Sequence, residues 1–211
     1  AHAAALNKPE PYIPRGLIAE VEERVDYEGS VIVPLRREQT EQAIRSLVEK
    51  GVESVAVALL WSVSNPAHEK AIAEILAEKY PGIFVTLSSD VAPFTGEYER
   101  TITTVFNAYI GRKITEYLGH LARLLRENGL GRTPLIMQAY GGVLDTEAAS
   151  KNAIGTIESS PASGVTGCQF VGRLVGEGNL LAADMGGTTF KVGVIRGGIV
   201  EKDYSPIFLR H

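Results

Sequence analysis

One cysteine, Cys168, is all that 211 residues contain, so no internal disulfide staples this chain and a cytoplasmic setting fits. Long apolar runs are absent as well. No stretch approaches the roughly 20 residues of a membrane span, and no signal-peptide pattern opens the chain. Charge of one sign is scarce: 21 Lys and Arg against 25 Asp and Glu leave a net −4, which gives no electrostatic reason to expect nucleic acid or an anionic membrane. The four histidines, His2, His68, His120 and His211, show no metal-ligand spacing. A Walker A sequence and a Gly-x-Ser-x-Gly elbow are both missing, which sets aside a P-loop NTPase and an α/β-hydrolase. Repeats and low-complexity tracts are missing too. What is present is a chain of 45% hydrophobic residues, enough to bury a core as one large or two small domains.

Residues 181–198 organise the rest. An apolar run ends on Asp184, then Gly186-Gly187-Thr188-Thr189 follow, and a second apolar run leads into Gly197-Gly198. The pattern predicts two strands joined by a small-residue turn, and a second hairpin at Gly197-Gly198. Gly186 and Gly187 let the backbone approach a bulky anion with successive N–H groups. Thr188 and Thr189 add hydroxyl donors, and Asp184 stands where a carboxylate could hold hydrated Mg²⁺ against phosphate oxygens. These residues serve equally an ordinary hairpin closed by an Asp-Met-Gly-Gly turn.

Upstream, residues 1–24 carry Pro9, Pro11 and Pro14 and read as a linker or severed connection. A strand is expected at residues 31–33, then a helix through Ala43, Ile44, Leu47 and Val48 that Gly51 stops. Residues 54–61 read as a strand covered on both faces. Asn65 caps a helix with Pro66 at its first position, continued by Ala71, Ile72, Ile75 and Leu76. Residues 83–87 give a third strand, and the alternation argues an α/β layer.

A long helix is expected from about Gly96 to Asn128, on the spacing of Tyr98, Ile102, Val105, Phe106, Tyr109, Ile110, Ile114, Tyr117, Leu118, Leu121, Leu124 and Leu125. Gly111 and Gly119 mark places for a kink or break, each costing about 1 kcal/mol relative to Ala. The charged start, Glu97-Tyr98-Glu99-Arg100-Thr101, reads as a solvated helix end. A buried strand at residues 135–138 and a short helix near 145–151 follow. Ser160 then caps a helix with Pro161 at its first position and Ala162, Ser163 and Gly164 in its first turn. That start leaves N–H groups and the positive dipole end open to an anion, or equally packs tightly on a strand. Cys168 reads as a small core residue rather than a nucleophile.

Six stretches in order resemble the hydantoinase A/oxoprolinase family over nearly the whole chain. They are Val57-Ala58-Leu59-Leu60-Trp61, Asn65-Pro66-Ala67-His68-Glu69, Glu97-Tyr98-Glu99-Arg100-Thr101 with Asn107-Ala108-Tyr109, Met137-Gln138 with Gly141-Gly142, Ser160-Pro161-Ala162-Ser163-Gly164-Val165, and Asp184-Met185-Gly186-Gly187-Thr188. The resemblance implies an α/β fold: a partial ribonuclease-H-like domain of the actin/sugar-kinase/Hsp70 ATPase kind, preceded by a smaller α/β region. The implied division is 25–91 for the end of the family's N-terminal region and 92–211 for the start of the hydantoinase A domain.

It further implies ATP and Mg²⁺ as cofactors, and phosphoryl transfer that activates a carbonyl oxygen of a cyclic amide such as a hydantoin or 5-oxoproline. The same motifs would serve an acetone-type carboxylase or a non-catalytic nucleotide-binding module. Asp184 takes the metal role by resemblance. Gly186, Gly187, Thr188 and Thr189 take the phosphate role, with Ser160, Ala162, Ser163 and Gly164 at the helix start. No residue is assigned to catalysis. The implied partners are a small cyclic amide or ketone and a hydantoinase-B-type subunit.

Two departures qualify the resemblance. Lys191 stands where the family commonly has a second acidic residue, and it reads as a solvent-facing strand lysine with phosphate contact as the alternative. A first Asp-x-Gly-Gly-Thr motif is also missing before residue 31, so an internal fragment without turnover of its own is expected. Two α/β parts joined near residues 88–96 are predicted, with the long helix packed on the second. The turn at Gly187 and the helix start at Ser160 are predicted to share one sheet edge and one cleft, with Asp184 between them.

Overall fold

The computed structural model describes residues 10–202. Residues 1–9, with Pro9 and His2, and residues 203–211, with His211, lie outside the described residues.

The first part is built on a two-residue strand β1 (Arg24–Val25) paired antiparallel with β2 (Val31–Val33). Asp26 closes their turn by accepting the N–H groups of Glu28 and Ser30 at 3.0 and 2.8 Å. Helix α1 (Arg37–Val48) follows, then β3 (Ser54–Val57), α2 (Ala67–Lys79) and β4 (Phe84–Leu87). Strands β3 and β4 are parallel, in register from Ser54 opposite Phe84 to Val57 opposite Leu87. The α2 crossover between them makes this a strand-helix-strand unit. Its core is Ile44, Val57, Ile72, Ile75, Leu76 and Leu87, drawn from both helices and both strands. At the start of α2 the helix begins one residue later than expected, and Asn65 still accepts the Ala67 N–H at 3.0 Å.

The strand expected over residues 54–61 ends at Val57, because the groups that would extend its ladder are taken by side chains. The Leu59 N–H donates to Glu69 Oε1 at 2.9 Å, and the Leu59 carbonyl accepts from Arg100 Nη2 at 2.7 Å. The chain then turns through Trp61, held at φ 57°.

A one-turn helix α3 (Ser88–Val91) leads to α4 (Glu97–Glu127). At 31 residues α4 is unbroken, about 46 Å long at 1.5 Å per residue. Gly111 does not break it. A Cβ there would lie 2.3 Å from Phe84 Cε1, so the glycine is a slot for the Phe84 ring. The buried stripe also differs from the apolar spacing: Arg100, Thr104, Asn107, Ala108, Gly111 and Leu118 face inward. Tyr98, Tyr109, Tyr117 and Leu124 are exposed. Small and hydrogen-bonded residues let the helix lie close to the sheet, which large side chains would prevent. Packing against the second part is accordingly half of the picture, because α4 also crosses β3 and β4. Tyr12 of the opening segment meets Phe106 edge to face at 5.3 Å.

The second part opens with β5 (Leu135–Met137) antiparallel to β6 (Val143–Asp145), then α5 (Thr146–Lys151), which Asp145 caps by accepting the Ala148 N–H at 2.8 Å. A 3₁₀ turn at Ala153–Thr156 delivers the chain to α6 (Ser159–Val175). Strands β7 (Leu180–Met185), β8 (Phe190–Arg196) and β9 (Ile199–Val200) form an antiparallel sheet in that order, with Gly197-Gly198 turning the second hairpin. Helix α6 covers one face of this sheet. Gly193 permits the approach, since a Cβ there would lie 2.2 Å from Val165 Cγ2. The other face carries exposed Leu181, Met185, Phe190 and Val192.

Candidate functional site

Alternation along β7 and β8 decides which side chains meet α6. Ala182 and Ile195 are buried beneath it. Asp184 lies on the same face two residues beyond Ala182, and Lys191 is its register partner across the pair. Where the strand end and the helix start diverge, they leave a cavity of about 480 Å³. Residues 160–165 and Cys168 form one wall, and residues 182–184 with 191–193 form the other. The structure therefore brings Asp184 together with Ser160, Ala162, Ser163 and Gly164 at one edge of the sheet.

Four details differ from expectation. The helix starts at Ser159, so Pro161 occupies its third position and Ser160 does not cap. Residue Glu158 is the N-cap, at φ 59°, and no side chain caps the first-turn N–H groups. Ser163 uses its hydroxyl within the helix, donating to the Ser160 carbonyl at 2.7 Å. Cys168 is a free, half-buried thiol on the cavity wall rather than a core residue. Lys191 is not a solvent-facing lysine: its side chain is 34% exposed and pairs with Glu158 at the start of α6.

Gly186, Gly187, Thr188 and Thr189 lie beyond the end of β7, all exposed, and do not line the cavity. Their loop is closed by the Gly186 N–H donating to the Thr189 carbonyl at 2.9 Å. Open space surrounds the Cβ position of Gly187, so its backbone is accessible. The predicted single cleft is thus present for Asp184 and the helix start, with the glycine turn outside it. Among the described residues no group of three or more His, Cys, Asp or Glu is placed to hold a metal ion.

A buried polar cluster escaped the sequence reading. Glu69, fully buried, accepts from the Leu59 N–H, from Ser88 Oγ at 2.6 Å and from the Ser89 N–H at 2.9 Å. Arg100, 1% exposed, lies within the charged start of α4 that read as a solvated end. The signal is its phase: Arg100, Thr104, Asn107 and Gly111 follow one another at steps of four, three and four residues along one stripe. A second, apolar cavity of about 1030 Å³ lies between α1, β3, α4 and the segment around Tyr12–Ile18.

Two family profiles match the chain, one described as Hydantoinase/oxoprolinase over residues 100–210 and one as Hydantoinase/oxoprolinase N-terminal region over residues 2–80. The chain belongs to the hydantoinase/oxoprolinase family. It is 37% identical over 197 residues to the acetophenone carboxylase gamma subunit of Aromatoleum aromaticum, covering 91% of this chain and 27% of that protein. A nucleotide-free structure of acetone carboxylase superimposes with a TM-score of 0.83 at 31% identity, over 92% of this chain and 28% of that one. The structure of the ATP-dependent caprolactamase from Pseudomonas jessenii gives 0.75 at 29% identity, again over 92% and 28%. The expected α/β architecture, a partial ribonuclease-H-like domain of the ATPase kind, stands on these likenesses. The chain spans about a quarter of the length of these relatives. Among the described residues no helix is long and apolar enough to cross a membrane.

Proposed function

We propose that this chain supplies one wall of the ATP site of an enzyme that activates a carbonyl oxygen by phosphoryl transfer. The observation that carries this reading is the shared cavity: the Asp184 carboxylate and the uncapped first turn of α6 face the same space. Uncapped N–H groups at a helix N-terminus suit phosphate oxygens. A single carboxylate suits Mg²⁺, which keeps several waters and takes its remaining ligands from phosphates. Asp184 is therefore the residue that would hold the ion. Bound there, Mg²⁺ would neutralise charge on the transferring phosphoryl group. The glycine turn, with its open backbone, would take the phosphates from outside the cavity.

Hydrolysis of a cyclic amide is the first substrate reading, supported by family membership and the likeness to caprolactamase. Ketone carboxylation is the second, favoured by the identity to acetophenone carboxylase and the higher TM-score with acetone carboxylase. Either reading includes a second subunit of hydantoinase B type and a cytoplasmic setting, the latter in keeping with the free Cys168. Turnover assays of the full-length protein with its partner decide between them. Magnesium- and ATP-dependent opening of a hydantoin, 5-oxoproline or lactam supports the first reading. Consumption of acetone or acetophenone with bicarbonate supports the second. Absence of ATP use with every substrate overturns both.

A further inference from the structure

Resting on the nucleotide reading above, we propose that Lys191 is the phosphate-contacting cation of this site, and that Glu158 holds it in reserve. On entry of a nucleoside triphosphate, the Lys191 ammonium exchanges the Glu158 carboxylate for phosphate oxygens.

The argument begins with direction. Lys191 shares its face of β8 with Gly193 and Ile195, the residues that α6 covers, so its stem runs beneath the helix start. It lines the cavity opposite Asp184. Yet the two charges facing each other across β7 and β8 do not pair: among the described residues Asp184 makes no ion pair, and Lys191 reaches instead to Glu158. A lysine neutralised by Asp184 would take the carboxylate a metal needs. Glu158 keeps it away.

The second step concerns Glu158 itself. It is the N-cap of α6, and its side chain makes no cap bond. Its backbone sits in the left-handed region at φ 59°, a strained conformation for a non-glycine residue. The strained backbone sends the carboxylate to Lys191, and the helix donors stay open to the cavity. An ammonium on a flexible four-carbon stem binds phosphate as a point charge and can change partners without moving the backbone. A triphosphate presents more negative charge than the one carboxylate it displaces, so the exchange runs toward the nucleotide.

Calorimetric titration of the full-length protein with ATP and with AMP tests this. Charge-assisted bonds of this kind correspond to about ten- to hundredfold in affinity. Lys191→Met is expected to lose that factor for ATP while changing AMP less than about threefold, and Lys191→Arg to retain most ATP affinity. Glu158→Gln, which removes the competing carboxylate, is expected to tighten ATP severalfold. Wild-type ATP affinity in Lys191→Met overturns the proposal. So does an equal loss of ATP and AMP in both Lys191→Met and Glu158→Gln, which would mark the pair as purely structural. Equal wild-type affinity for AMP and ATP overturns this inference alone, whereas binding of neither overturns the nucleotide reading with it.

Discussion

Glu69 and Arg100 hold Leu59 from its two ends: the carboxylate accepts its N–H at 2.9 Å and the guanidinium donates to its carbonyl at 2.7 Å. Oxygen Oε1 of Glu69 also takes Ser88 Oγ, and Oε2 takes the Ser89 N–H. Glutamine can keep the first oxygen's bonds but turns an amide donor toward the Ser89 N–H. Glu69→Gln is therefore expected to cost about 1–3 kcal/mol and Glu69→Ala about 3–5 kcal/mol, in denaturant unfolding, since three buried donors lose their acceptor. Equal stability of Glu69→Ala and wild type would show that the cluster is replaceable.

Asn107 ties the two parts together. Its amide donates to Thr86 Oγ1 of β4 and to the Lys151 carbonyl, both at 3.1 Å, while its oxygen accepts the Ile154 N–H at 2.9 Å. That last bond fixes the 3₁₀ turn from which the chain enters α6. Asn107→Leu is expected to lose about 2–4 kcal/mol by stranding three polar partners. The specific sign is local: amide exchange of Ile154 should accelerate more than that of residues in α2.

Close approach of α6 to its sheet depends on Gly193. A methyl there meets the β-branched Val165, with Cγ2 at 2.2 Å and Cγ1 at 2.9 Å, and Val has little rotamer freedom on a helix. Gly193→Ala is expected to destabilise by about 1–3 kcal/mol through overpacking. Adding Val165→Ala should restore part of the loss. A strictly additive double mutant would argue that α6 is not held against β8 in solution.

Where local chemistry and tertiary demand agree, the elements were readable in advance: Asn65 at a helix start, Gly197-Gly198 at a hairpin, Asp184 at a strand end. The extent of α4 agrees with its apolar spacing, but its buried face does not: the spacing points to the large apolar side chains, whereas close packing selects Thr104, Asn107 and Gly111 for the buried stripe. Gly111 looked like a break because a sequence cannot show Phe84 arriving in the slot. Strand β3 was drawn too long for a similar reason: Leu59 is bonded by side chains 10 and 41 residues away. At the candidate site, the shared sheet edge of Asp184 and the first turn of α6 is legible from small-residue and strand-end patterns, with the helix start displaced by two residues. The Lys191–Glu158 pair was not, since the pairing spans 33 residues and depends on the curl of the chain at φ 59°.

Gly187 offers a clean probe of the exposed turn. Its φ is not in the left-handed region, and a Cβ there meets nothing within 4 Å. Gly187→Val is thus expected to leave the melting temperature within about 2 °C, as surface substitutions away from packed features do. A loss of ATP affinity of tenfold or more in that variant of the full-length protein would come from blocked backbone approach. Unchanged affinity would confine phosphate binding to the cavity and leave the turn a simple hairpin.

Asp184 separates metal from nucleotide. Asparagine preserves its shape and one carbonyl acceptor but removes the charge that holds a hydrated Mg²⁺. Lys191 stands opposite, so neutralising residue 184 makes the cavity more positive and does not repel a metal-free triphosphate. In Asp184→Asn of the full-length protein, ATP affinity measured with a chelator is expected to match or slightly exceed wild type. The gain that wild type shows on adding magnesium should shrink to within about twofold, a residual of under 0.5 kcal/mol. Parallel ATP titrations with and without magnesium provide both numbers from one preparation. A magnesium gain retained at the wild-type level would mean that the ion is held by residues other than Asp184.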